Sequence, residues 1–258
     1  MSLVEYSLED HIAVIRLNRP ERLNAMSPPM GEELTDAFRQ FNADDNAWVG
    51  ILTGSGRAFC AGRDMKSQAE GFASNGGKVL GRVYTSERNM FGLSDTDKPL
   101  IAAVNGFAIG MGWYMTIACD IRVAAAGAQF AMTEVATGVL GPYWMAGVEV
   151  LPWPIAAEFA LLGERVSAER LLACGALNAV VPEQELMAEA GRWAEKFARL
   201  PPRHVQGTKS LMRASRAVPG PETQARERAV RNELAELADS KEAVLAWTER
   251  RPAVFRGA

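Results

Sequence analysis

Two stretches of the chain set glycine at the end of a short apolar run with few reactive side chains nearby: Phe59-Cys60-Ala61-Gly62-Arg63-Asp64, and NGFAIGMG from Asn105 to Gly112. Where an extended segment turns into a helix, backbone N–H groups are left without a carbonyl partner. Two such turns facing one point would hold an anionic oxygen, with the helix-end field added. That is oxyanion stabilisation, worth roughly 3–4 kcal/mol of barrier for each well-aimed donor. The same glycines also suit plain tight turns and close packing, and their spacing alone fits both readings.

Other chemistries find less support. The two histidines are His11, in an expected turn, and His204, at an expected helix start. A Ser-His-Asp triad or a histidine metal cluster would need both to converge on one place. GSGRAF at 54–59 lacks the Gly-Lys-Ser/Thr ending of a phosphate loop, and Gly106, Gly110 and Gly112 lack the dinucleotide spacing. Cys60, Cys119 and Cys174 are odd in number and widely spaced, which suits reduced thiols better than disulfides or zinc. A net charge of −3, from 28 basic and 31 acidic residues spread along the chain, provides no stripe for nucleic acid and no membrane patch. The first residues carry Glu5, Glu9 and Asp10 before any long apolar run, unlike a secretory signal or a membrane span. A cytoplasmic location is the expectation.

The elements that must position these turns follow from periodicity. Residues 6–8 and 12–17 flank Glu9-Asp10-His11 as a hairpin would. Leu34, Phe38 and Phe41 recur at helical steps after Pro28-Pro29. Residues 48–53, 100–104 and 121–125 are short apolar runs, and read as buried strands of an α/β fold with mainly parallel pairing. Beyond Pro182, residues 183–200, 202–217, 221–238 and 241–250 read as helices. A soft boundary is expected near 198–202. The 71–77 stretch, GFASNGG, suits either a flap over a site or a solvated loop. No fixed repeat of 20 to 50 residues is visible, which leaves room for one too degenerate to read.

Beyond these patterns, the chain resembles the crotonase (enoyl-CoA hydratase/isomerase) superfamily over nearly its whole length. The resemblance is carried, in order, by Asn18-Arg19-Pro20-Glu21-Arg22-Leu23-Asn24-Ala25-Met26, the 59–64 stretch, Lys98-Pro99-Leu100-Ile101-Ala102-Ala103-Val104-Asn105-Gly106, Ala118-Cys119-Asp120, Ala128-Gln129-Phe130 and Glu249-Arg250-Arg251-Pro252-Ala253-Val254-Phe255. It implies an α/β fold, a crotonase-like spiral of ββα units with a helical C-terminal trimerisation region. The division would be residues 1–199 as the acyl-CoA-binding core and 200–258 as the helical region. It also implies a homotrimer or dimer of trimers acting on an acyl-CoA thioester, with coenzyme A part of the substrate and no permanently bound cofactor or metal.

By the family's pattern the backbone N–H groups of Arg63 and Met111 form the oxyanion hole, with Met111 standing where glycine is usual. The family's hydratases carry two glutamates. Here the first position is Tyr114 and the second Glu134, so a single carboxylate moves the proton and double-bond isomerisation is favoured over hydration. Tyr143 resembles the tyrosine of the decarboxylase branch. Decarboxylation or hydrolysis of an acyl-CoA, or silent acyl-CoA binding, are the rival readings. Ala61, Asp64 and Gly110 complete the substrate-binding set, with Arg22, Lys241 and Arg251 as candidates for the CoA end. Each has a plainer role beside it: Glu134 as a helix-entry carboxylate, Tyr114 as a core aromatic, the late basic residues as an exposed face. Asp120 is expected to be structural.

Overall fold

The computed structural model describes residues 2–64, 91–141, 147–215 and 221–254. The hairpin forms as expected: β1 (Val4–Glu9) pairs antiparallel with β2 (Ile12–Leu17). Asp10 and His11 take φ of 45° and 69° between them, the left-handed pair a two-residue hairpin turn demands. His11 stacks on Trp48 at 3.7 Å, with its Nδ1 2.8 Å from Asn46 O. This histidine is used for packing.

Helix α1 (Pro28–Ala43) follows and buries Met30, Leu34, Ala37, Phe38 and Phe41. Strands β3 (Val49–Gly54), β5 (Leu100–Val104), β7 (Ile121–Ala125) and β10 (Ala179–Val181) extend the hairpin into a six-stranded sheet, in the order β1-β2-β3-β5-β7-β10. Every pairing from β2 onward is parallel. Every residue of β3 and β5 is buried, as in strands covered on both faces. On one face Val49, Ile51, Ile101, Ala103, Val123 and Ala125 pack against Leu186, Ala190 and Ala194 of α5 (Leu186–Ala198). On the other, a methyl at Gly50 would stand 3.2 Å from the Phe41 ring, so α1 packs where a side chain is missing.

A second sheet lies in strands too short for periodicity to reveal. β4 (Ala58–Cys60), β6 (Phe107–Ile109), β8 (Gln129–Ala131) and β9 (Val166–Ser167) form it in the order β4-β6-β8-β9. The two stretches read above as glycine turns are therefore each partly strand: three residues are below the length at which alternation shows. Three times in succession, a strand of the large sheet is followed by one of the small sheet: β3 then β4, β5 then β6, β7 then β8. This is the repeat that no sequence period betrayed.

Asp120 is structural, as expected. Its carboxylate accepts the Leu100 N–H at 2.8 Å and Lys209 Nζ at 2.6 Å, tying the starts of β5 and β7 to α6 (Pro202–Ser215). The chain divides into two compact units, residues 1–63, 89–130 and 165–216, and residues 64–88, 131–164 and 217–258. The second contains α3 (Trp153–Leu162), α7 (Pro221–Glu236) and α8 (Ala238–Glu249). Helices α2 (Met111–Ala118) and α4 (Ala168–Ala173) belong to the first. Among the described residues no helix is long and apolar enough to cross a membrane.

Candidate active site

The first unit holds both glycine-bearing turns. After β4 ends at Cys60, the Ala61 N–H donates to Leu23 O at 3.0 Å and Gly62 O accepts the Met26 N–H at 2.7 Å, with Met26 and Arg63 bridged in parallel. A trans peptide is planar, so its N–H points opposite to its carbonyl. The Gly62 carbonyl and the Arg63 N–H belong to the same peptide, and no cis bond occurs among the described residues. Holding that carbonyl toward Met26 therefore turns the Arg63 N–H away from the 23–26 segment.

Gly62 has φ of 92°, and a methyl added to it would stand 3.0 Å from Ile109 O and 3.9 Å from the Met111 nitrogen. The first turn thus lies directly against the second. There the chain leaves β6, passes Gly110 at φ 50°, and enters α2. The Tyr114 N–H is bonded to Gly110 O at 3.0 Å, so the N–H of Met111 precedes the helical ladder. A methyl at Gly112 would stand 2.2 Å from Cys60 O. Bare backbone at 112 is what lets α2 press onto the end of β4. Both uses of glycine expected from the residue types are present: turn and close approach bring the two amides' neighbourhoods together.

Two asparagines frame the turns, and sequence reasoning assigned them no role. Asn24 is wholly buried in a left-handed conformation with φ of 54°. Its Nδ2 donates to Ser55 O at 2.9 Å and Ala58 O at 2.7 Å, and its Oδ1 accepts the Arg19 N–H at 2.8 Å. Asn105 Nδ2 donates to Gly56 O at 2.6 Å and Ala58 O at 3.1 Å. The usable signal was Asn24 itself, since asparagine tolerates left-handed backbone and carries two donors. Asn24→Ala strips buried carbonyls of a donor and is expected to destabilise the protein by about 2 kcal/mol. Urea unfolding measures it, and an unchanged midpoint would contradict this bracing role.

Tyr114 sits in the first turn of α2 with 2% of its surface exposed. Trp113 beside it is fully buried, edge-on to Phe130 at 6.0 Å. Cys60 and Cys119 are buried free thiols, each pushed up to about 12 by burial, and Cys174 is half-buried and free. Among the described residues no group of His, Cys, Asp and Glu is arranged to hold a metal ion. Ala61 is half-buried, Asp64 is buried, and Arg22 lies exposed at the end of the 3-10 turn Pro20–Arg22.

In the second unit, Glu134 is 5% exposed and stands at the entry to the 3-10 turn Val135–Thr137. Its backbone oxygen takes the Thr137 N–H at 3.1 Å and the Val139 N–H at 2.8 Å, while its side chain makes no cap to that turn. A methyl at Gly141 would stand 3.2 Å from Glu134 Cγ. Arg251 is held by Glu242, with Nη2 2.8 Å from Oε2, and by Glu249, with Nε 2.6 Å from Oε2. Its charge is shared within its own segment, whereas Lys241 is exposed on α8. Tyr143, the 71–77 stretch and the residues following Asp64 lie outside the described residues.

The family model described as enoyl-CoA hydratase/isomerase matches residues 7–258. The (E)-benzylidenesuccinyl-CoA hydratase of Thauera aromatica is 33% identical, with 99% of each chain covered. A carnitinyl-CoA dehydratase of Salmonella enteritidis PT4 is 35% identical over 81% of this chain and 79% of its own. Among solved structures, a carnitinyl-CoA hydratase from Mycobacterium avium superposes with a TM-score of 0.83 at 30% identity, covering 99% of both chains. The matching turns, the two-sheet architecture and these likenesses together place the chain in the enoyl-CoA hydratase/isomerase family, the crotonase superfamily.

Proposed function

We propose that the protein adds water to, or removes it from, the α,β position of an acyl-CoA thioester. The observation that carries this reading is the orientation of the Gly62–Arg63 peptide, whose N–H is turned away from Met26 beside the start of α2. In this reading the thioester oxygen accepts the N–H groups of Arg63 and Met111. Fixed amides gain most where charge develops, on the enolate oxygen. As backbone donors they leave the side chains free, which accommodates methionine at 111.

Glu134 is the proton carrier in this scheme. It takes a proton from water as the water oxygen bonds to Cβ and the π electrons move toward the thioester oxygen. It then returns that proton to Cα as the enolate collapses. One carboxylate working both half-steps balances the protons, so Tyr114 at the other glutamate position is compatible with hydration. The activities named for the relatives, hydration and dehydration of CoA thioesters, tip the reading this way and away from the isomerisation that a lone glutamate first favoured.

Ala61, Asp64 and Gly110 would line the acyl-CoA, with Arg22 and Lys241 at its nucleotide end. Arg251 would first have to exchange its carboxylate partners for a phosphate. The homotrimer or dimer of trimers implied by the family resemblance is part of this proposal, and the exposed Trp153, Leu161 and Leu162 of α3 offer apolar surface for contact with another copy.

A mixed panel of enoyl-CoA thioesters incubated in oxygen-18 water tests the function by mass spectrometry of the products. Entry of the label is the expected result. A product of unchanged mass and altered retention would make the enzyme an isomerase. Released carbon dioxide or free CoA would point to the decarboxylase or hydrolase reading, and an untouched panel that is nonetheless bound would mean silent binding.

A further inference from the structure

We propose that Cys60 is a positioning residue for the oxyanion amide, holding the peptides on both sides of Gly62 so that the Arg63 N–H keeps its aim. This rests on the reading that the Arg63 and Met111 amides bind the thioester oxygen. Gly62 is the least restrained residue type, at a φ of 92°, and rotation about it would swing the Arg63 N–H. Two contacts from one side chain oppose that rotation. Cys60 Sγ accepts the Gly62 N–H at 3.4 Å and lies 3.7 Å from Gly62 O. The first fixes the peptide before Gly62 and the second the peptide after it, whose N–H is that of Arg63. The same oxygen also takes the Met26 N–H at 2.7 Å, so the Gly62–Arg63 peptide is gripped from two directions.

The thiol suits this task for physical reasons. Cys60 is fully buried at the end of β4, and its main-chain oxygen bears on α2 at Gly112. Burial pushes its thiol up to about 12, so at neutral pH the sulfur keeps its hydrogen and both donates and accepts. Sulfur's larger radius suits separations of 3.4 and 3.7 Å, and a hydroxyl in its place would keep the same donor and acceptor after a small shift toward its ordinary range of about 2.7–3.0 Å. Cys60 has no part in the bond making assigned to Glu134.

The test uses a saturated acyl-CoA with a carbon-13 thioester carbonyl and isotope-edited infrared spectroscopy, alongside steady-state kinetics. In the unaltered protein the bound carbonyl stretch should fall below its value in solution. In Cys60→Ala and in Cys60→Val, which fills the space without offering a partner, that shift should shrink by half or more. Turnover should then drop about 10-fold with little change in KM, the signature of donors misaimed in the transition state. Cys60→Ser should recover a substantial part of both, and circular dichroism establishes that each variant is folded. A full carbonyl shift and full turnover in folded Cys60→Ala or Cys60→Val overturns the proposal. Equal losses in the Ser, Ala and Val variants also overturn it, because packing alone would then explain them. Absence of any shift in the unaltered protein would instead refute the amide reading beneath it.

Discussion

Glu134→Gln is expected to lower turnover of an α,β-unsaturated CoA thioester by at least about 100-fold, the lower end of what a positioned acid/base group contributes. The substitution preserves shape but removes the proton-carrying oxygen. Glu134 is 5% exposed and its side chain makes no cap to the turn it precedes, so no capping contact is given up. The stabilisation lost belongs to the transition state, so kcat and kcat/KM should fall together. Affinity for a saturated CoA ester, measured by calorimetry, should survive. Turnover equal to the unaltered protein would remove Glu134 from the mechanism, whatever the family resemblance implies.

Gly62→Ala is the second large effect, and it reaches the same chemistry through the backbone. A side chain at φ 92° costs about 1–3 kcal/mol of strain. Its methyl would also stand 3.0 Å from Ile109 O, so the 61–63 turn and the β6 end must separate. Separation spoils the common aim of the Arg63 and Met111 amides. Loss of one such donor lowers kcat by about 100- to 1,000-fold. Urea unfolding reports the strain and steady-state kinetics the misalignment. A variant that loses stability yet keeps its turnover would show that the two amides do not act together.

Local pattern made much of this fold legible. The hairpin at Asp10-His11, the amphipathic α1 and the run of late helices are inscribed in periodicities of two or 3.6 residues, and β3, β5 and β7 in short apolar runs. The ordered motifs made the family legible too, and with it the expected roles of Arg63, Met111 and Glu134. The three-residue strands β4, β6 and β8 escaped, because so short a segment carries no period. Their pairing was invisible for a related reason: a ladder such as Ala58 with Phe107 joins residues far apart in the chain.

What the sequence determined by itself was where bare backbone could turn or pack closely: glycine at 62, 110 and 112. Only the tertiary structure decided which way those turns face. The direction of the Arg63 N–H depends on the bond between Met26 N–H and Gly62 O, and the closeness of the two turns on how β6 and α2 pack against the end of β4. A residue type limits φ and ψ at its own position, whereas the aim of a peptide plane is set by partners brought from elsewhere in the chain.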